Sequence, residues 1–91
     1  MKALNAFPPS IIRIEVDFEE LRQYVQQVFE EEYGQNSVAK VEAAQYSPDM
    51  IDITVYVREK KGEMRELSVK VAHILRSQGI RAGVRTELAH E

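Results

Sequence analysis

The chain has 91 residues, of which 44% are hydrophobic and 30% charged, with a formal net charge of -3. That length allows one domain with one modest core, and that composition argues against global disorder. Cysteine is absent, which excludes disulfides, iron–sulfur clusters and thiolate metal sites.

Charge is unevenly placed along the chain. Residues 1–35 carry Lys2, Arg13 and Arg22 against Glu15, Asp17, Glu19, Glu20, Glu30, Glu31 and Glu32. An acidic beginning beside a nearly balanced remainder lacks the clustered Lys and Arg of a nucleic-acid footprint. The opening MKALNAFPPS has no apolar run of signal-peptide length, and nowhere is there a stretch that could span a membrane. A cytoplasmic address without a membrane partner is therefore expected.

Residues 1–10 read as a flexible tail ending in the stiff Pro8-Pro9 pair, and residues 11–88 as a single α+β domain. IIRIEV at 11–16 sets Ile12, Ile14 and Val16 on one face and Ile11, Arg13 and Glu15 on the other, the pattern of a first strand. Asp17 is then a helix N-cap, with Glu20 placed to complete a capping box. Phe18, Leu21, Val25, Val28 and Phe29 follow at helical spacing, flanked by Tyr24 and Tyr33, and predict a helix near 18–33. Gly34 suits its C-terminal cap. Glu30, Glu31 and Glu32 crowd the negative end of that helix, so fraying or a basic partner surface is expected there.

Ala39, Val41 and Ala43 alternate with Lys40, Glu42 and Ala44 in a second, weaker strand near 38–46. Ser47, Pro48 and Asp49 make a turn. IDITVYVR at 51–58 is the strongest strand in the chain: Ile51, Ile53, Val55 and Val57 alternate with Asp52, Thr54, Tyr56 and Arg58. These two strands should form an antiparallel hairpin. Past a charged corner around Gly62, a second helix is expected near 63–78. Its stripe is Met64, Leu67, Val71, Ile74 and Leu75, widened by Val69 and Ala72, and Gly79 closes it. Residues 80–87 alternate again and give a last strand, with Gly83 marking a bulge or a crowded contact.

The expected order is β-α-β-β-α-β, a ferredoxin-like sandwich with a four-stranded antiparallel sheet and both helices on one face. If 11–16 fails to pair, a three-stranded α-β-β-α-β version remains. The element order resembles that of many small regulatory domains, among them the cytoplasmic domains of cation-efflux transporters, although the metal-binding histidines sought in such a comparison are missing.

No catalytic, cofactor or metal site is legible. His73 reads as a boundary residue of the second helix and His90 as a surface residue of the tail. The glycines are isolated, without a phosphate loop or dinucleotide fingerprint. With Ile12, Ile53, Val55 and Val84 turned to the helices, the opposite sheet face offers Ile11, Arg13, Tyr46, Tyr56, Arg58, Arg81 and Arg85. Tyrosine and arginine beside carboxylates suit a self-complementary protein surface. The expected function is a non-enzymatic interaction or regulatory module acting as a homodimer or small homo-oligomer. An RNA-binding face is the alternative, opposed by Glu15, Glu42 and Asp52. A small anion-binding enzyme using the arginines is the third reading, without an evident nucleophile or acid–base pair.

Overall fold

The computed structural model describes residues 17–90. The tail at 1–10 and the strand expected at 11–16, with Ile11, Ile12 and Arg13, lie outside the described residues. Within them the order is α1 (Phe18–Tyr33), β1 (Val38–Ser47), β2 (Met50–Val57), α2 (Met64–Ser77) and β3 (Ala82–Leu88). This is an α+β arrangement of alternating helices and strands, and it resembles the ferredoxin-like order from its first helix onward.

Helix α1 begins where its cap predicts. The Asp17 carboxylate accepts hydrogen bonds from the amides of Glu19 and Glu20 at 3.0 and 3.2 Å, which satisfies two donors that no helical carbonyl can reach. Leu21, Tyr24, Val25, Val28 and Phe29 form the buried stripe. The acidic last turn does not fray in the structure. Gln26 donates to Glu30 and Gln27 to Glu31, at 3.1 and 3.4 Å, so amide groups four residues upstream take part of the carboxylate demand. Gly34 ends the helix with φ of 105°, a conformation in which a side chain would be strained.

β1 and β2 form the expected hairpin, closed by Pro48 and Asp49, with Ser47 opposite Met50. The register slips twice in β1, between Val38 and Lys40 and again between Ala44 and Ser47. Each slip inserts one extra residue, as a β-bulge does. The first brings Val38 and Val41, three apart, onto the same buried side, where uninterrupted alternation would have put them on opposite faces.

The sheet departs from the expected one. Among the described residues it has three strands in the order β1-β2-β3, and β3 runs parallel to β2, from Ile51 opposite Ala82 to Val57 opposite Leu88. The reason is directional. A helix that returns along the sheet delivers the next strand in the same sense as the one before it, so the two strands joined through α2 run parallel. An all-antiparallel sheet would need another strand between them, and here their backbones bond directly. Among the described residues the element order is α-β-β-α-β.

Both helices cover one face. Ile51, Ile53, Val55 and Val57 of β2 share a core with the α1 stripe, with Met64, Leu67, Val71 and Leu75 of α2, and with Ile80 and Ala82. Val84 packs against its rim. One expectation about α2 fails: Val69 is 63% exposed, and Ser68 is buried in its stead. Positions 64, 68, 71 and 75 lie on one helical face, while 69 is turned away from it. The Ser68 hydroxyl escapes the cost of burial by donating to the Met64 carbonyl at 2.9 Å.

Gly83 also differs from expectation. No register slip occurs in β3, and a Cβ built on Gly83 would meet nothing within 4 Å. It is neither bulged nor crowded. Gly83→Ala should therefore raise stability by roughly 0.5–1 kcal/mol, through a less disordered unfolded chain. By contrast Val55→Ala or Leu67→Ala should cost about 2–4 kcal/mol, since each leaves a cavity in the shared core. Urea denaturation of the three variants checks both signs.

Candidate interaction surface on the uncovered sheet face

The face of the sheet turned away from the helices is built in cross-strand rows. Registers on both sides of β2 align Ala44 with Asp52 and Gly83, then Glu42 with Thr54 and Arg85, then Lys40 with Tyr56 and Glu87. Neighbouring strands lie close enough for side chains in a row to touch. Thr54, in the centre of the middle row, is buried although it faces away from the core, because its neighbours lean over it.

The rows pair much of their own charge. Lys40 Nζ lies 3.1 Å from a Glu42 carboxylate oxygen and 5.0 Å from the centroid of the Tyr56 ring, so one ammonium meets a carboxylate and an aromatic face together. The Tyr56 hydroxyl donates to the other Glu42 oxygen at 3.3 Å. Arg85 Nε donates to Thr54 Oγ1 at 3.2 Å and stands 4.0 Å from Glu87. The hydrogen bond and charge of Lys40 hold the Glu42 carboxyl below the usual carboxylate range, helped by Tyr56.

At the end of the sheet nearest the hairpin turn, charge is left over. Asp52 and Arg81 have no ion-pair partner among the described residues, and Tyr46, 83% exposed, lines the same depression as Asp52. Glu42, Ala44, Tyr46, Asp52, Thr54, Tyr56 and Arg85 line a shallow depression of about 350 Å³ across this face. A second depression of about 320 Å³ is lined by Arg81 together with Pro48 and Asp49 of the turn.

Of the residues predicted for the surface, Tyr46, Tyr56 and Arg85 come together in the first depression, while Arg81 lines the second. Arg58 does not join them. Its guanidinium donates to the carbonyls of Asn36 and Val38 at 3.0 and 2.9 Å, tying the α1–β1 connection to the end of β2. Ile11 and Arg13 are outside the described residues. Lys40 and Glu42 belong to the surface as a bonded group with Tyr56, which their spacing of two in a strand could have indicated. His73 is exposed on the outer side of α2. Among the described residues no three His, Asp or Glu converge as metal ligands, and no helix is long and apolar enough to cross a membrane.

The Glu42 shift offers a direct check of this geometry. Lys40→Ala should move the Glu42 pKa back up toward the ordinary carboxylate value, measured from the carboxyl carbon shift across a pH titration. Because the folded value is the lowered one, the Lys40–Glu42 contact is present above the ordinary carboxylate pKa and is lost as pH falls through the folded value. Comparison with protein-family models, curated proteins and solved structures finds no match to this chain.

Proposed function

We propose that this protein is a non-enzymatic interaction module that acts as a homodimer, with the uncovered sheet face as its contact surface. The observation that carries the reading is the leftover pair at the turn end of that face. Asp52 and Arg81 are opposite charges without ion-pair partners among the described residues, and the exposed ring of Tyr46 shares a depression with Asp52. Across a two-fold axis one copy's Arg81 meets the other's Asp52, and the reverse, so a single set of residues serves both copies. Tyr46 supplies apolar area with a polar tip, the kind of side chain that anchors interfaces.

An RNA-binding use of the same face is opposed by its chemistry. Each of the three cross-strand rows holds a carboxylate, and Lys40 and Arg85 are already engaged with Glu42 and Glu87. Phosphates would have to displace those partners.

Charge exchange tests the proposal. Sedimentation equilibrium of the unaltered protein should show twice the monomer mass as concentration rises. Arg81→Glu should shift the midpoint to higher concentration, and Arg81→Glu combined with Asp52→Arg should restore it, because the pair is re-made with its signs exchanged. A midpoint that Arg81→Glu leaves unchanged, or that the double variant fails to restore, removes the face as the contact. Salt-sensitive retention on a polyanion column would favour the nucleic-acid reading in its place.

A further inference from the structure

The outer edge of β3 has a self-complementary order that the face does not use. Arg81 C=O accepts from the Ile51 amide at 2.9 Å, and the Ala89 amide donates to Val57 C=O at 2.8 Å. In a parallel ladder alternate residues of a strand serve the neighbour, so the odd positions from 81 to 89 bond to β2. Ala82, Val84, Thr86 and Leu88 then direct their backbone N–H and C=O groups to the open side, where no strand among the described residues lies. Lys60 Nζ bonds the Thr86 carbonyl there at 3.2 Å.

Such an edge is a template for another strand, and the side chains specify which. Leu88 is 49% exposed and Val84 half-buried on the helix side, while Arg85 and Glu87 stand 4.0 Å apart on the other side. Set antiparallel against the same edge of a second copy, β3 has few registers that keep its outward groups opposite one another. Centring on Arg85 puts two arginines face to face, and centring on Val84 puts each Arg85 opposite a glycine. Centring on Thr86 places Arg85 opposite Glu87 twice over, and Val84 opposite Leu88 twice over. Charge and apolar area are both matched only there.

The geometry points to the open edge of β3 as a docking site for the same edge of a second copy, antiparallel and centred on Thr86, joining the three described strands of each copy into one sheet. This contact runs through the backbone edge of β3 and does not draw on the Asp52–Arg81 pairing. Lys60 guards it. The two ammonium groups meet near the axis and repel, in the manner of lysines that natural edge strands use against unwanted pairing. Association through the edge is accordingly weak, and Lys60 sets its strength.

The experiment uses the full chain carrying Arg81→Glu, which weakens the face contact and leaves the edge to be read alone. In that background Lys60→Ala should lower the concentration midpoint of dimer formation by about fivefold, the scale of a surface charge interaction. Adding Thr86→Pro should return the protein to monomer. The Thr86 amide points to the open edge, so proline there removes a donor to the second copy and none to β2. Thr86→Cys gives an independent measure in a chain without other cysteines. Opposed residues in a hydrogen-bonded antiparallel pair have Cα atoms about 5.5 Å apart, within reach of a disulfide. Mild oxidation should link the introduced thiols of two copies, and far more readily than those of a Val69→Cys control on the exposed side of α2. Should the proline variant lose its circular dichroism, the cysteine variants decide. Monomer at all concentrations in the Lys60→Ala protein, or linkage through position 86 no greater than through 69, overturns the proposal.

Discussion

Two hydrogen bonds at the end of α2 fix the course of the chain that builds the sheet. The Gly79 amide reaches the Arg76 carbonyl at 2.9 Å and the Ile80 amide reaches Leu75 at 2.9 Å, the pair of reversed bonds of a Schellman turn. Gly79 takes φ of 87° to make them. Ile80 is thereby folded back against Leu75, both of them buried, and β3 starts two residues later alongside β2. With any other exit angle, Ala82 would miss Ile51 and the parallel ladder would have no beginning. Everything on the uncovered face depends on that alignment, because the rows that place Arg85 beside Thr54 and Gly83 beside Asp52 are consequences of the β2–β3 register.

Much of this is legible in the sequence, and what is not has physical causes. The β2 strand, both helices, the Asp17 cap and the two closing glycines follow from period and cap chemistry, which act over a few residues. The parallel pairing does not, since strand neighbours are decided by crossovers and not by local pattern. Val38 and Val41 share a face only because a bulge resets the alternation, and a bulge has no reliable residue signature. Ser68 and Val69 exchange places because a hydroxyl bonded to its own helix backbone packs cheaply, which a hydrophobicity pattern cannot register. Arg58 falls on the face by parity but turns to two carbonyls of the preceding connection. Of the candidate surface, Tyr46, Tyr56, Arg81 and Arg85 are visible by alternation. The Lys40–Glu42 pair is visible the same way, and only its contact with Tyr56 emerges with the register.

The surface shows a division of labour along the sheet. At the end far from the hairpin turn, cation, carboxylate and phenol satisfy one another, and this patch gains little from a partner because its bonds are already made. At the turn end Asp52 and Arg81 are held by backbone bonds to neighbouring strands without an ion-pair partner among the described residues. Groups in that state lose less on binding than groups that must first break a contact. The asymmetry gives the face a direction along the sheet.

The crossover through α2 has a consequence for synthesis. α1, β1 and β2 are all made before the residues of α2 and β3 leave the ribosome, and the hairpin closes through a two-residue turn within microseconds. For that interval the β2 side later taken by β3 stands bare. Its IDITVYV core combines high strand propensity with low charge, the composition that stacks into aggregates. Asp52 interrupts it from within, and Arg58, Glu59, Lys60 and Lys61 follow it directly. Charges so placed act as gatekeepers for the nascent chain. The sequence around β2 thus carries protection that the finished fold, with both edges of that strand paired, no longer needs.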